Sequence, residues 1–265
     1  MSNPKKRAAE DAAPEKKKKN KKRKGNFQED DALDSELGLN TSVGRMDSQL
    51  LADHVAQKLS RFGSDLSTVE LADISLSGML VALLESLSIT IDHPTATAIK
   101  DTTSWQEPRT LEKLPDFLER FADDAKDLTK TPAKKGSPHT LIVAGAGLRA
   151  ADIVRAVRKF STKDSLIAKL FAKHMKVEEQ VTLLNNKKIG IGVGTPARLM
   201  ELIENGSLSL GNLRRLVVDA SHIDQKKRGV MDMKDTMMPL ARFLARKEFM
   251  ERYADEKKPL ALLFY

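Results

Sequence analysis

The amino-acid sequence predicts an α/β fold in which a parallel β-sheet carries helices on both faces. Residues 189–194 form an apolar run spaced by glycines, which is typical of a buried strand. A helical pattern follows, with Leu199 and Ile203 on one stripe, and Gly206 is suited to end it. A second apolar run, at residues 213–219, ends in a carboxylate. Strand, helix and strand in this order form a βαβ unit, which implies a parallel sheet.

The first 46 residues are predicted to be a disordered tail that is basic and then acidic. Residues 1–24 hold eleven Lys and Arg and three Asp and Glu, a net charge of +8 that equals the net charge of the whole chain. Of the 45 basic and 37 acidic residues, 34 of each remain for the rest of the chain, which is therefore neutral. A lysine-rich segment with so few apolar side chains cannot bury enough surface to fold alone.

This basic tail has two functional interpretations, which can coexist. Its lysine runs match the pattern of a nuclear import signal. Its dense positive charge also favours RNA, because binding releases the counterions of the phosphates. A solvated tail without a role is the remaining alternative. The side chains expected to contact RNA are Lys16, Lys17, Lys18, Lys19, Lys21, Lys22, Arg23 and Lys24.

Residues 47–130 are predicted to form a helical extension. Apolar periodicity and capping residues predict three helices, at residues 47–62, 66–74 and 111–121. Residues 76–99 show neither a helical nor a strand period. Trp105, the only tryptophan, is expected to anchor packing, with a base-stacking surface as the alternative.

The α/β core is predicted to occupy residues 131–265. After a surface loop, the pattern predicts a strand, a glycine turn, two helices and then a strand or edge segment that precedes the βαβ unit. A methionine-rich helix, broken or kinked near Pro239, and a final strand follow that unit. The bounds are 126–138 for the loop, 141–144 for the first strand, 150–160 and 166–174 for the two helices, 177–184 for the edge segment, 231–253 for the methionine-rich helix and 260–265 for the last strand.

Composition excludes several classes of protein. No run approaches the roughly 20 apolar residues of a membrane helix, so we expect no membrane association. The charged N-terminus lacks the apolar segment of a secretory signal. The absence of cysteine excludes disulfides, cysteine-ligated zinc and thiol catalysis. No Gly-Lys-Ser or Gly-Lys-Thr occurs, so a phosphate-binding loop of the usual kind is absent.

Two short motifs resemble the first RecA-like lobe of the DEAD-box RNA helicases. They are Gly194-Thr195-Pro196-Ala197-Arg198-Leu199 and the tetrad Asp219-Ala220-Ser221-His222. The resemblance implies a single RecA-like (P-loop NTPase-like) lobe in which Thr195, Pro196 and Arg198 contact an RNA backbone. The alternative is that Thr195 only caps the following helix and Arg198 pairs with a carboxylate of the core. In the tetrad, Ala220 stands where those helicases have the glutamate that activates water, and an alanine cannot accept a proton.

The departures from the helicase pattern lead us to expect no enzymatic activity, no cofactor and no metal site, although Asp219 could still hold a metal. The Ser-Ala-Thr motif and a second lobe, which the family has after this point, do not follow the terminal strand. A pair of glycines at Gly145 and Gly147 could let a backbone approach a phosphate, but a tight turn explains them equally well.

Three segments together resemble one family more specifically, the CMS-one family. They lie at residues 144–152, 193–198 and 219–222. It implies a nuclear and nucleolar protein that assists rRNA processing as a non-catalytic factor of the small-subunit (90S) pre-ribosome. The expected partners are pre-ribosomal RNA and pre-ribosome proteins, with the chain a monomer inside a large ribonucleoprotein. Two alternatives stay open: a helicase-like ATPase and a nuclear scaffold that binds only protein. Residues 76–99 exceed the family's pattern, either as an insertion or through a gene-model error.

Overall fold

The computed structural model describes residues 32–67, 69–71, 99–173, 175–253, 255 and 257–265 of the 265-residue chain. The predicted RNA-binding tail at residues 16–24 and almost all of the segment 76–99 lie outside these described residues.

Among the described residues, seven strands form two sheets. A two-stranded antiparallel hairpin comes first, and a five-stranded, all-parallel sheet follows in the order β4-β5-β3-β6-β7. The strands are β1 (Leu33–Asp34), β2 (Leu39–Asn40), β3 (Thr140–Val143), β4 (Leu166–Leu170), β5 (Ile189–Gly194), β6 (Arg215–Val218) and β7 (Ala261–Phe264).

Seven α-helices whose bounds lie within the described residues surround the larger sheet. They are α1 (Ser48–Phe62), α2 (Leu114–Arg120), α3 (Gly147–Ala156), α4 (Val177–Asn186), α5 (Pro196–Glu204), α6 (Lys234–Leu244) and α7 (Lys247–Tyr253). Within the same ranges, three short 3₁₀ helices lie at Val43–Arg45, Ala125–Leu128 and Val157–Phe160. The longest described α-helix has 15 residues, and none in the described ranges is long and apolar enough to cross a membrane.

The sheet separates two apolar cores because successive side chains of a strand point to opposite faces. On β3, Leu141 and Val143 join the core that α1 and α4 to α7 cover. Ile142 on the same strand joins the core covered by α2 and α3. The predicted α/β class, with one parallel sheet and helices on both faces, is therefore confirmed.

Most of the predicted core elements are found where the sequence placed them. The strands expected at 141–144, 189–194, 213–219 and 260–265 are β3, β5, β6 and β7. Helix α1 matches the predicted helix 47–62, and the Asp47 carboxylate caps it by accepting from the Leu50 amide at 2.8 Å. Gly206 adopts φ +76 after α5, the left-handed conformation expected of a C-terminal glycine. The predicted capping box at Ser67 and Glu70 is present, with Ser67 Oγ 2.7 Å from the Glu70 carboxylate.

Two adjacent predictions in the core are wrong: a strand was predicted to be a helix, and the helix after it was predicted to be a strand. Residues 166–174, predicted to be a helix, contain the edge strand β4, and residues 177–184, predicted to be a strand or edge segment, form α4. A short apolar run cannot be assigned by period alone, and pairing with β5 decides the first case. In the second case the glutamates at the start of α4 favour a helix because they complement its dipole.

The break in the methionine-rich segment lies later than predicted. Pro239 sits inside α6, and the chain turns instead between α6 and α7, at Ala245 and Arg246. The neighbouring Met238 and Leu240 are buried in the core, so packing holds the helix through the missing hydrogen bond.

Residues 32–46, which the sequence assigned to the disordered tail, are folded. The hairpin β1–β2 docks on the larger sheet, where the Asn40 amide donates to the Ser221 carbonyl at 2.6 Å. Leu39 and Val43 are buried, and this apolar anchoring offsets the cost of ordering the segment. The division of the chain at residues 46 and 130 otherwise stays a prediction.

Part of the predicted surface loop 126–138 is also ordered against the core. Leu128, in the second 3₁₀ helix, is fully buried. Trp105 packs edge to face on Phe117 with ring centroids 5.6 Å apart, as expected of a packing anchor.

Candidate functional site

The carboxyl ends of parallel strands meet at one edge of a sheet, and ligands bind preferentially at this edge in open α/β folds. Here that edge brings together the glycine turn after β3, the Thr195 turn after β5 and the tetrad after β6. The motifs that resemble the helicase lobe are therefore neighbours in space.

Asp219, the first residue of the tetrad, is held in a buried ion pair. Arg149, the third residue of α3, donates from Nε to Asp219 Oδ2 and from Nη2 to Asp219 Oδ1, both at 2.8 Å. The side chain of Asp219 is 4% exposed and that of Arg149 is 12% exposed. A bidentate pair engages both carboxylate oxygens, so a metal at Asp219 would have to compete with the positive charge of the guanidinium.

The space around this pair is small. A cleft of about 130 Å³ is lined by Gly145, Arg149, Asp219 and His222, among others. Val230 covers the glycine turn so closely that a Cβ at Gly145 would lie 3.1 Å from Val230 Cγ2. Sites for ligands of nucleotide size measure roughly 300 Å³ or more, so this cleft would have to open to admit one.

The rest of the tetrad joins three parts of the fold through its backbone. The amides of Ala220 and Ser221 both donate to the Tyr265 carbonyl at 2.7 Å, and the Ser221 carbonyl accepts from Asn40 in the hairpin. His222 is half-buried, and burial first, then the nearby Arg149 guanidinium, lowers the pKa of its imidazole. The tetrad thus serves as a structural junction of β6, β7 and the hairpin.

At the Thr195 turn, the three residues predicted to contact RNA differ in exposure. Thr195 precedes α5, is partly exposed and makes no capping hydrogen bond with its side chain. Pro196 is buried at the first position of the helix. Arg198 is 9% exposed, and its Nη1 donates to Gln180 Oε1 at 2.7 Å and to the Met175 carbonyl at 3.2 Å.

Arg198 also pairs with Glu201 on the same helix, at 2.9 Å from Nε. Its guanidinium therefore ties α5 to α4 and the segment before it. Of the three residues expected to contact RNA at this turn, Thr195 has the side chain that is available to a ligand.

Sequence reasoning overlooked two arginines near this edge. Arg149 lies in the first turn of α3, where a positive charge opposes the helix dipole. That unfavourable placement was a signal that it has a partner. Arg109 is 5% exposed and donates to the Phe264 carbonyl and, at 2.9 Å, to Thr102 Oγ1. Burial lowers the pKa of its guanidinium to about 10.

Comparison with known proteins identifies the family. A family model described as "CMS1: U3-containing 90S pre-ribosomal complex subunit" matches residues 1–265. The chain belongs to the CMS1 family. Protein CMS1 of Chaetomium thermophilum is 59% identical over 239 residues, which cover 90% of this chain and 88% of that protein. Protein CMSS1 of Homo sapiens is 38% identical over 120 residues, or 45% of this chain and 43% of that protein.

The resemblance to the CMS1 family drawn from the sequence is thus confirmed. Among solved structures, the yeast DEAD-box splicing factor Prp28 is similar with a TM-score of 0.39 and 16% identity. The match covers 70% of this chain and 42% of the Prp28 chain.

Proposed function

We propose that this member of the CMS1 family is a non-catalytic ribosome biogenesis factor. In this proposal it acts in the nucleolus, associates with the small-subunit pre-ribosome and its RNA, and supports rRNA processing as a monomer within that particle. Membership of a family described as a subunit of the U3-containing 90S pre-ribosomal complex carries the proposal.

The Arg149–Asp219 ion pair supports the non-catalytic part of the proposal. ATP hydrolysis needs a metal that bridges the phosphates and a group that orients the attacking water. The carboxylate of Asp219 is paired with Arg149, and the methyl group of Ala220 cannot orient water. A lobe in this state holds partners in place and does not convert nucleotide energy into motion.

The RNA contacts are proposed at two places. The lysine-rich tail, residues 16–24, supplies sequence-independent attraction to phosphates. Thr195, partly exposed beside Pro196, can donate its hydroxyl to a phosphate oxygen. Arg198 supports this turn by fixing α5 and, in our proposal, reaches RNA only where it exchanges an internal partner.

The experiment that tests the proposal purifies the tagged full-length chain from cells and sequences the RNA crosslinked to it. We expect pre-ribosomal RNA to be enriched for the natural chain and for Thr195→Ser, which keeps the hydroxyl. Replacing the basic residues at 16–24 by glutamine should lower the yield strongly. Recovery of no pre-ribosomal RNA above background would refute the association.

A parallel measurement of phosphate release from magnesium-ATP, with and without RNA, addresses the enzymatic alternative. We expect no release above buffer. Release that Asp219→Ala abolishes would refute the non-catalytic proposal. Pre-ribosomal proteins recovered without any crosslinked RNA would instead favour a scaffold that binds only protein.

A further inference from the structure

A second cavity opens at the opposite edge of the sheet. It has a volume of about 480 Å³ and lies at the amino ends of β6 and β7, where Arg215 and Ala261 line it. The motifs that resemble the helicase lobe all lie at the carboxyl edge, so this cavity belongs to neither of the RNA contacts proposed above.

The lining of this cavity is strongly basic. It includes six cationic side chains and a single carboxylate, Asp123, among the described residues. Because the chain beyond residue 24 has equal numbers of basic and acidic residues, this is a local concentration of charge that the composition of the body does not predict. The six cations are Lys100, Arg214, Arg215, Arg252, Lys257 and Lys258.

Most of these cations are held by neutral groups. Lys100 donates to the Phe121 carbonyl and Lys258 to the Gly211 carbonyl, each at 3.3 Å. Arg252 donates to the carbonyls of three residues on two segments, including Leu210 at 3.1 Å. Within the described ranges, only Arg214 of the six forms an ion pair, with Asp127 at 2.7 Å. Carbonyl partners orient these cations without neutralising their charge.

Arg215 adds a buried positive charge to the wall of this cavity, near Asp123 and Asp127. Its side chain is buried, with the residue 2% exposed, and Nη2 has no hydrogen-bond partner. Nη1 reaches Thr140 Oγ1 at a long 3.4 Å. A buried donor of a charged group that is left unpaired destabilises the folded protein. A phosphate bound in the cavity would stabilise this buried charge by Coulomb attraction, without direct contact.

We propose that the amino-edge cavity binds the phosphate backbone of RNA. The two ends of the sheet would then have separate tasks, with Lys257 and Lys258 at this edge contacting the phosphates and the buried Arg215 adding positive charge behind them. Phe121 is the only aromatic side chain in the lining, and its ring belongs to the core, so base stacking has no platform here. Contacts of this composition position RNA without reading its sequence.

An acidic protein segment is the competing occupant. RNA is favoured because the cations are grouped around one cavity and offer donors only, which suits the two non-bridging oxygens on each of several closely spaced phosphates. The inference rests on the proposed RNA association and names the surface of the folded body that carries it.

The test measures binding of fluorescein-labelled polyuridylate by fluorescence anisotropy over a range of potassium chloride concentrations. The full-length protein carries glutamine at the eight basic positions of residues 16–24, so that the tail does not mask the cavity. In this background, Lys257→Gln with Lys258→Gln removes two exposed charges from the rim. Each lost phosphate contact changes the slope of log K against log salt by about 0.7. We expect a slope shallower by about 1.4 and an affinity about tenfold weaker near physiological salt.

Two matched variants act as controls. Lys257→Arg with Lys258→Arg keeps both charges and should retain binding. Lys187→Gln with Lys188→Gln makes the same change in charge at an exposed lysine pair before β5 that does not line the cavity. This variant should keep its affinity for RNA within about twofold, because salt screens charges that act over a long distance. Urea unfolding followed by Trp105 fluorescence verifies that each variant is folded.

Each remaining outcome overturns the proposal. Unchanged binding by the Lys257/Lys258 glutamine variant, or an equal loss at Lys187/Lys188, rejects the cavity as the site. Polyglutamate that competes better than unlabelled polyuridylate assigns the cavity to an acidic protein. A tail-neutralised chain that binds no RNA also rejects it, although the proposed function survives if the natural chain still crosslinks to pre-ribosomal RNA.

Discussion

The Arg149–Asp219 pair allows a sharp prediction about Asp219. Loss of a carboxylate that holds a structural ion pair should destabilise the fold, whereas loss of one that only binds a metal should not. Asp219→Ala leaves the Arg149 guanidinium, 12% exposed, without its carboxylate. Breaking a buried pair by removing one partner costs about 3–5 kcal/mol. Since water can still reach part of Arg149, we expect the low end, about 3 kcal/mol of the free energy of unfolding.

Urea unfolding followed by Trp105 fluorescence measures this change, since Trp105 is the only tryptophan and packs on Phe117. For a chain of this size, about 3 kcal/mol lowers the melting temperature by roughly 6–12 °C. The double variant Arg149→Met with Asp219→Leu removes both charges, and we expect it to recover most of the lost stability.

The matched control is Asp152→Ala, which breaks the exposed pair with Arg155 on the same helix. We expect a loss of at most about 1 kcal/mol there, as for other surface pairs. A cost below about 1 kcal/mol for Asp219→Ala, or a double variant as unstable as the sum of the two single variants, would refute a structural role for the pair.

Three further predictions concern pH, the helix end and the aromatic anchor. Burial, with the positive charges of Arg215 and Arg214, lowers the pKa of His139 to about 4. The unfolded chain, with a histidine pKa of about 6.5, then binds the proton more tightly, so stability falls by up to roughly 3 kcal/mol as the pH drops from about 6.5 to 4. His139→Asn should flatten the difference between urea midpoints at the two pH values, and an equal difference in both proteins would count against this cause. Gly206→Ala should cost about 1 kcal/mol because of φ +76, whereas Gly211→Ala, where φ is not positive and the new Cβ would lie 3.8 Å from Ser209 Oγ, should be nearly neutral in the same assay. Phe117→Ala should cost about 3–5 kcal/mol and shift the Trp105 emission to longer wavelength, and retention of both properties would show that the ring contact is unimportant.

The segments that the sequence identified correctly are those with a strong local pattern. Helix α1 has an apolar stripe and an aspartate cap, and β5 and β6 are apolar runs between clear turns. The errors at β4 and α4 occur where the apolar run is short and the partner strand or helix face decides the structure. Residues 32–46 were misassigned for a related reason, because the groups that order the hairpin, such as the Ser221 carbonyl, lie far along the chain.

The candidate site shows the same contrast between local sequence patterns and contacts made by residues far apart in the chain. The motifs around Thr195 and Asp219 could be located from the sequence, and so could the loss of the water-activating glutamate at Ala220. The partners of the charged groups could not be identified from the sequence. Arg149 and Asp219 are 70 residues apart, and Arg198 and Gln180 are 18 residues apart on different helices.

The sequence by itself determined the parallel α/β class, the basic tail and membership of a family with a helicase-like signature, because periodicity, composition and motifs are local properties. Only the tertiary structure decided that Asp219 is bound to an arginine, that Arg198 serves the packing of α5, and that six cations gather at the amino edge of the sheet. Charge interactions depend on distance and burial, and the fold sets both.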